Sequence, residues 1–220
     1  MPHEAVHVPA SDVTIEGDLV VPANATGLVI FAHGSGSSRF SPRNRAVANV
    51  LSAGGFATLL LDLLTSEEES SDQRTGRFRF DIDRLAARVI AAVDWSDTQQ
   101  ALAPLPIGCF GASTGAAAAL MAAAARPARV RAVISRGGRP DLAGDVLPRV
   151  EAPTLLIVGG HDEPVIELNE AARRRLRAPA QTAIVPGATH LFEEPGALEQ
   201  VAGLALEWCR LYLKTGPSRP

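Results

Sequence analysis

The chain has 220 residues, of which 46% are hydrophobic and 20% charged, as expected for a globular domain with a full-sized core. Its net charge of −3 argues against a protein that binds nucleic acid through the backbone phosphates. The apolar runs are far shorter than a membrane helix, and the first residues do not resemble a secretory signal. We therefore expect a cytoplasmic protein without a nucleic-acid or membrane partner. Residues 1–214 should form one domain, and residues 215–220 a disordered tail.

The predicted elements begin with a hairpin and continue as short apolar strands that alternate with helices. Residues 4–8 and 13–21 form the hairpin. Further strands are predicted at 28–32, 57–62, 106–110, 130–135, 154–158 and 181–185, and helices near 42–53, 82–95, 116–125, 164–176 and 195–213. Strands that are apolar on both faces indicate a mainly parallel sheet covered by helices on both sides. The fold class is therefore α/β, and ligands should bind at the carboxyl ends of the strands.

The pentapeptide Gly111-Ala112-Ser113-Thr114-Gly115 lies between a buried strand and an alanine-rich helix. A strand, a Gly-x-Ser-x-Gly turn and a helix in this order are typical of a nucleophile elbow. The two glycines fit, because a side chain at either position would strike the neighbouring strand or helix. Backbone strain in the turn lifts the serine hydroxyl clear of the sheet. We predict that Ser113 is a catalytic nucleophile; the alternative is an ordinary turn in which Ser113 caps the helix.

A serine hydroxyl needs a nearby base, and the base needs an acid that orients it. Of the five histidines, only His190 lies in a loop after a strand and beyond every other candidate in the chain. Asp162 follows the strand at 154–158 and is predicted to orient the His190 ring. Glu163 is the neighbouring alternative, although a carboxylate there also suits the start of a helix. Asp141 is a weaker candidate for the same role.

An oxyanion hole requires two backbone N–H donors, and we expect them from Thr114 and Ser35. Gly34 lets the backbone of the second loop turn closely beneath a substrate carbonyl. His33 and Gly34 are accordingly candidates for contact with the substrate, although His33 fits a residue that braces the loop better than a proton shuttle. A phosphate-binding loop at residues 34–38 is disfavoured because the lysine of a P-loop is missing.

The remaining polar and reactive residues give weaker indications. Arg136 and Arg139 follow a strand end and could meet an anionic substrate group or form a structural ion pair. The segment 63–79 carries mixed charges and is predicted to be a solvated loop that could lie over the site. Cys109 and Cys209 have no metal-ligand or disulfide spacing and should be buried and inert. We expect neither a metal nor a cofactor.

With these residues in place, the chain resembles the α/β-hydrolase superfamily over nearly its whole length, and its compact layout resembles the dienelactone hydrolase family. Residues 31–44 and 135–142 look like hydrolase domains of this group that occur alone or fused to phosphoribosyltransferases. The family's founding enzymes carry cysteine at the elbow, whereas this chain has Ser113. The resemblance implies a hydrolase without a large cap domain, and the serine favours an esterase.

The expected substrates are therefore small carboxylic esters or lactones. A catalytically silent binding module with the same fold remains an alternative from another class. Acyl transfer, perhydrolysis and peptide cleavage are further alternatives, because they would use the same acyl-enzyme.

Overall fold

The computed structural model describes residues 3–213, so the tail predicted at 215–220 lies outside the described residues. The strands are β1 Glu4–Ala10, β2 Val13–Val20, β3 Leu28–Ala32, β4 Ala57–Leu61, β5 Ile107–Ala112, β6 Val130–Arg136, β7 Thr154–Gly159 and β8 Ala180–Val185. The helices are α1 Pro42–Ala53, α2 Ser66–Thr75, α3 Ile82–Asp97, α4 Thr114–Ala125, α5 Glu163–Arg175 and α6 Ala197–Tyr212, with a kinked 3₁₀ segment at Pro140–Arg149.

The described strands form one sheet in the order β1-β2-β4-β3-β5-β6-β7-β8. β1 pairs antiparallel with β2, and β2 pairs antiparallel with β4. Every later pairing, from β4 to β8, is parallel. The predicted hairpin and the mainly parallel sheet are therefore confirmed, and the loops after β3, β5, β6, β7 and β8 meet at one edge of the sheet.

Two apolar layers cover the two faces of this sheet. Along β3, for example, Leu28 and Ile30 belong to one core cluster, whereas Val29 and Phe31 belong to the other. The first cluster is completed by α3 and α4, and the second by α1 and α6. Helices therefore lie on both faces, as predicted from strands without a polar side. Within the described range, no helix combines the length and apolar character that crossing a membrane requires.

The segment predicted as a solvated loop at 63–79 contains the helix α2, which sequence analysis missed. None of the ten residues of Ser66–Thr75 is apolar, so the segment has no hydrophobic periodicity. A capping box starts the helix: Thr65 Oγ1 accepts from Glu68 N at 3.2 Å, and Thr65 N donates to Glu68 Oε2 at 2.9 Å. Gly76 ends it in the left-handed conformation, at φ 66°.

A buried carboxylate, Asp72, fastens the end of α2 to the chain that follows. Its side chain is 1% exposed and accepts from Phe78 N at 2.6 Å and from Arg79 N and Nε at 2.9 and 2.8 Å. Burial alone would raise the pKa of Asp72, but these hydrogen bonds lower it below its ordinary value. At the other end of α2, Glu68 is paired with two arginines of α3. Both ends of α2 are thus anchored.

Candidate active site

Ser113 occupies the sharp turn between β5 and α4. Its φ of 50° and ψ of −123° are unusual for a residue with a side chain. A Cβ at Gly111 would lie 2.4 Å from Ala116 Cα, and one at Gly115 would lie 2.3 Å from Ala32 O, so neither position has room for a side chain. The Ser113 side chain makes no capping hydrogen bond to α4. This geometry favours the nucleophile elbow over the capping alternative.

Asp162 and His190 meet across the loops that follow the neighbouring strands β7 and β8. His190 Nδ1 donates to Asp162 Oδ2 at 2.6 Å, and the two side chains are 42% and 14% exposed. The loops can approach because a Cβ at Gly159 would lie 2.5 Å from the carbonyl oxygens of Ala188 and Thr189. With Nδ1 engaged by the carboxylate, the outer nitrogen Nε2 is left to accept a proton.

The two other candidate acids lie in different contacts. Glu163 is the first residue of α5 and is suited to the positive end of the helix dipole. Asp141 forms a two-point ion pair with Arg139, at 2.9 and 2.8 Å. Among the three carboxylates considered from sequence, the structure brings Asp162 to the histidine.

A short segment after β6 connects the nucleophile with the histidine. Ser113 N donates to Arg136 O at 3.4 Å, and Arg139 N donates to Ser113 O at 3.0 Å. Between them, a Cβ at Gly137 would lie 3.6 Å from His190 Cε1. Within residues 3–213 no hydrogen bond joins the Ser113 hydroxyl to the His190 ring. Catalytic hydrogen bonds of this kind often tighten only when substrate binds.

The two predicted oxyanion donors lie side by side. The hydroxyls of Ser35 and Thr114 are 3.2 Å apart. A Cβ at Gly34 would lie 2.8 Å from Ser113 Cβ, so the loop after β3 passes directly against the nucleophile. In the described part of the chain, the backbone N–H groups of Ser35 and Thr114 have no acceptor. Both groups can therefore donate to an oxygen atom placed beside Ser113.

His33 braces the loop that follows β3. Its Nε2 accepts from Leu63 N at 2.9 Å, so the ring proton lies on Nδ1, which donates to Gly34 O at 2.8 Å. Burial lowers the pKa of His33 below its ordinary value, so the ring is neutral. Because both ring nitrogens bind the backbone, the geometry favours the bracing role over the substrate contact for His33.

The neutral state of His33 predicts a pH dependence of folding. Its pKa is lower in the folded than in the unfolded protein, where it is about 6.5, so the unfolded state binds the proton better. The contribution of neutral His33 to stability should be fully present above about pH 6.5. Below that pH, the free energy of unfolding should fall by up to about 1.4 kcal/mol per pH unit as the pH approaches the folded-state pKa. Urea unfolding between about pH 5 and 7.5 measures this. The slope should be shallower in His33→Gln, and equal slopes would contradict the prediction.

The two arginines at the end of β6 have different surroundings. Arg139 is tied to Asp141, which is the structural ion pair considered from sequence. Arg136 is the last residue of β6 and is only 8% exposed. Its Nε and Nη1 are buried without a hydrogen-bond partner in the described chain.

The cysteines are buried, and burial raises the pKa of Cys109 and of Cys209 to about 12. Thiols in this state are poor nucleophiles at neutral pH. Residues 3–213 contain no group of three or more His, Cys, Asp or Glu side chains arranged to hold a metal ion.

Sequence analysis missed several residues that shape the site. Gly159 permits the contact between the acid and histidine loops, and the pair Gly159-Gly160 after a strand was the available signal. Asn169 is fully buried in α5 and donates to Gly138 O at 3.0 Å, which fixes α5 against the segment behind Ser113. Arg43, at the start of α1, contacts Glu193 at 3.1 Å, three residues after the histidine. Neither of the last two positions carries a sequence signal.

Comparison with known proteins gives consistent matches over most of the chain. The model of the dienelactone hydrolase family matches residues 15–210. Two Mycobacterium tuberculosis proteins, from strains CDC 1551 and H37Rv, are each 59% identical over 205 residues. Their names propose that they are phosphoribosyl transferases. The match covers 93% of this chain but 45% of theirs, so the chain spans less than half the length of these relatives.

Among solved structures, a crystal structure of a dienelactone hydrolase from Anabaena variabilis is 58% identical, with a TM-score of 0.95, over 97% of this chain and 99% of that one. Est1E from Butyrivibrio proteoclasticus is 17% identical, with a TM-score of 0.76, over 94% and 99% of the two chains. The latter similarity shows the shared α/β-hydrolase fold alone.

Proposed function

Because the chain belongs to the dienelactone hydrolase family, we propose that it is a serine hydrolase that cleaves small carboxylic esters or lactones through an acyl-enzyme on Ser113. The observation that carries this proposal is the elbow at Ser113 beside the Asp162–His190 pair, whose hydrogen bond is 2.6 Å long. The residues follow one another as nucleophile, acid and histidine, each in a loop after a strand. This is the order of an α/β-hydrolase triad.

Acylation would begin when His190 Nε2 takes the proton of the Ser113 hydroxyl while Oγ attacks the ester carbonyl carbon. The Asp162 carboxylate holds the ring in the required tautomer and stabilises its charged form. The backbone N–H groups of Ser35 and Thr114 would bind the negative oxygen of the tetrahedral intermediate. The carbon–oxygen bond to the alcohol then breaks, and His190 returns the proton to the departing oxygen.

Deacylation would repeat the sequence with water in place of serine. His190 removes a proton from the water molecule, the resulting hydroxide attacks the acyl carbon, and Ser113 leaves with the proton. The acid product is released and the histidine returns to its neutral state. None of these steps requires a metal or an organic cofactor. We further propose a cytoplasmic location and a small-molecule substrate, without nucleic-acid or membrane partners.

The site favours small substrates. Two helical segments of ten residues each, α2 and the 3₁₀ segment Pro140–Arg149, follow strands at the catalytic edge, and α2 is anchored at both ends. We expect short acyl chains to be preferred, because the segments that border the catalytic edge are short. The proposal rests on this site rather than on the names of relatives that the chain matches over 45% of their length.

A fluorophosphonate probe tests the nucleophile directly. We expect it to add to the Ser113 hydroxyl with loss of fluoride and to abolish ester hydrolysis, because the elbow presents this oxygen to the histidine. Peptide mass spectrometry locates the adduct. Ser113→Ala should remain unlabelled, and iodoacetamide should leave the native protein active because both cysteines are buried. An adduct elsewhere, or none, would contradict the serine mechanism.

A panel of esters separates the remaining alternatives. A silent binding module would show no turnover of any ester, while an acyltransferase would form the new ester or amide when an alcohol or amine is added. We expect release of the free acid as the main product, with short acyl chains preferred. A peptide panel should show no comparable cleavage.

A further inference from the structure

Arg136 is a buried cation without a counter-ion in the described chain. It is 8% exposed, and its Nε and Nη1 are buried and make no hydrogen bond. No salt bridge or hydrogen bond within residues 3–213 involves the remaining nitrogen, Nη2, which is the one guanidinium nitrogen not fully enclosed. A buried charge without a partner is strongly unfavourable for folding. Such an arrangement is explained if the partner is a ligand.

The surroundings of Arg136 add positive rather than negative charge. Burial and the nearby charge of Arg43 lower the pKa of Arg136 to about 10, so Arg136 is still protonated at neutral pH. In the described part of the chain, Arg43 is paired only with Glu193, which is 64% exposed, and the Arg43 Nε is also buried without a partner. Within residues 3–213, the recorded ion pairs thus give these two guanidinium groups one mostly solvated carboxylate, which contacts Arg43 and not Arg136.

The start of α1 contributes to the same positive field. The helix has twelve residues, no acidic residue in its first turn and Arg43 at its second position. A cation at this end adds to the positive end of the helix dipole instead of offsetting it. Three features, namely two arginines and a helix terminus, thus act together at the catalytic edge of the sheet.

This cationic site adjoins the candidate active site on two sides. Arg136 O accepts from Ser113 N, and Arg136 is paired in register with Ala112 in the strand that ends at the nucleophile. Arg43 contacts Glu193 in the loop that carries His190. An anionic group held here would therefore lie beside the loops that carry Ser113 and His190.

We propose that Arg136 and Arg43 bind an anionic group of the substrate, a carboxylate or a phosphate, so that the protein selects negatively charged esters. The planar guanidinium groups offer paired N–H donors that match the oxygen atoms of either anion. The proposal rests on the function proposed above for its ester, whereas the anion site itself is independent of Ser113 chemistry.

Direct binding tests the anion site without catalysis. In the Ser113→Ala protein, inorganic phosphate and succinate are titrated separately by calorimetry in a chloride buffer. We expect at least one to bind, and Arg136→Met in the same background to weaken that binding by at least about tenfold. Arg45 lies on the same helix as Arg43, and its charge is already paired with Asp18. The control variant Arg45→Gln should therefore bind the anion as the parent protein does. The tighter binding of phosphate or of succinate shows whether the site takes a phosphate or a carboxylate.

Kinetics then test whether the anion belongs to the substrate. The 4-nitrophenyl monoester of succinate and the 4-nitrophenyl ester of butyrate have acyl chains of the same length and differ in charge. We expect the ratio of their kcat/KM values, charged over neutral, to fall by about tenfold or more in Arg136→Met but not in Arg45→Gln. The 4-nitrophenyl ester of 3-phosphonopropionate, which carries a phosphonate in place of the carboxylate, tests a phosphate-like group in the same way.

A stability control covers misfolding. Without added anion, Arg136→Met should melt about 2–4 °C above the parent protein, because it removes an unpaired buried charge. If it does not fold, Arg136→Lys keeps the charge without the planar fork and should still weaken binding.

The site is refuted if neither anion binds, or if binding survives in these variants. If esters are cleaved but no anion binds, the anion site is rejected and the proposed hydrolase function stands. If an anion binds but no ester is cleaved, the proposed hydrolase function is rejected.

Discussion

Replacing Ser113 with alanine is expected to lower kcat for ester hydrolysis by about a millionfold, the scale found when the nucleophile of a serine triad is removed. The alanine cannot form the acyl-enzyme, and the residual rate comes from the oxyanion donors and from binding. Alanine is smaller than serine at a half-buried position, so folding should be unchanged. Hydrolysis of a short 4-nitrophenyl ester, with circular dichroism as the folding control, measures the effect.

The same series tests whether Asp162 acts together with the nucleophile. Asp162→Asn should lower kcat by about ten-thousandfold, because the amide favours the wrong tautomer of His190. The double variant Ser113→Ala with Asp162→Asn should be no slower than Ser113→Ala alone, since groups that act as a unit are not additive. Glu163→Gln, one residue along, is the matched control and should change kcat little.

Two outcomes would contradict this assignment. Full activity in Ser113→Ala would remove serine chemistry from the proposal. A large loss in Glu163→Gln with none in Asp162→Asn would move the acid to the neighbouring residue, against the 2.6 Å contact between Asp162 and His190.

Replacing Gly115 with alanine should destabilise the protein by about 3 kcal/mol or more. The new Cβ would lie 2.3 Å from Ala32 O and 2.6 Å from His33 O, both backbone atoms at the end of a central strand. Relief requires α4 to move away from β3, which also separates Ser113 from the loop that supplies Ser35. Urea unfolding of the purified variant measures the loss of stability, and the folded fraction should also lose activity.

Gly203→Ala is the matched control for that substitution. Gly203 lies inside α6, and a Cβ there would have no atom within 4 Å. Alanine is favoured over glycine in a helix interior, so this variant should be more stable by about 0.5–1 kcal/mol. If Gly115→Ala were as stable as Gly203→Ala, the close packing of the elbow against β3 would be wrong.

The fold could be predicted from the sequence wherever burial leaves a periodic pattern. The strand Leu28–Ala32 is apolar on both faces, and this strand and α1 were both predicted with the bounds that the structure has. Helix α2 was not predicted because its residues are all polar and its stability comes from its caps and ion pairs. The 3₁₀ segment at Pro140–Arg149 was missed, because a kinked segment has no single period.

The candidate site was predictable to the extent that its residues follow strands. Ser113, Asp162 and His190 each stand after a strand, and the parallel sheet brings those positions to one edge; their chemical roles stay predictions. The proposed role of Arg43 could not be foreseen, because it depends on the charge at the start of α1 lying near Arg136 at the end of β6. Likewise, whether the Arg136 guanidinium group has a counter-ion depends on all of its neighbours in space, and the order of residues along the chain does not give those neighbours.

The buried carboxylate at the end of α2 has a consequence for how substrates reach the catalytic edge. Moving α2 relative to Phe78 and Arg79 would remove three hydrogen bonds from Asp72, and moving Arg79 would break the 3.1 Å contact of its carbonyl with the Ser35 hydroxyl. These contacts link α2, the turn that follows it and the loop after β3, so we expect this side of the catalytic edge to stay in place when substrate binds. For the proposed hydrolase we therefore expect turnover that depends neither on a closing motion of α2 nor on an oil–water interface.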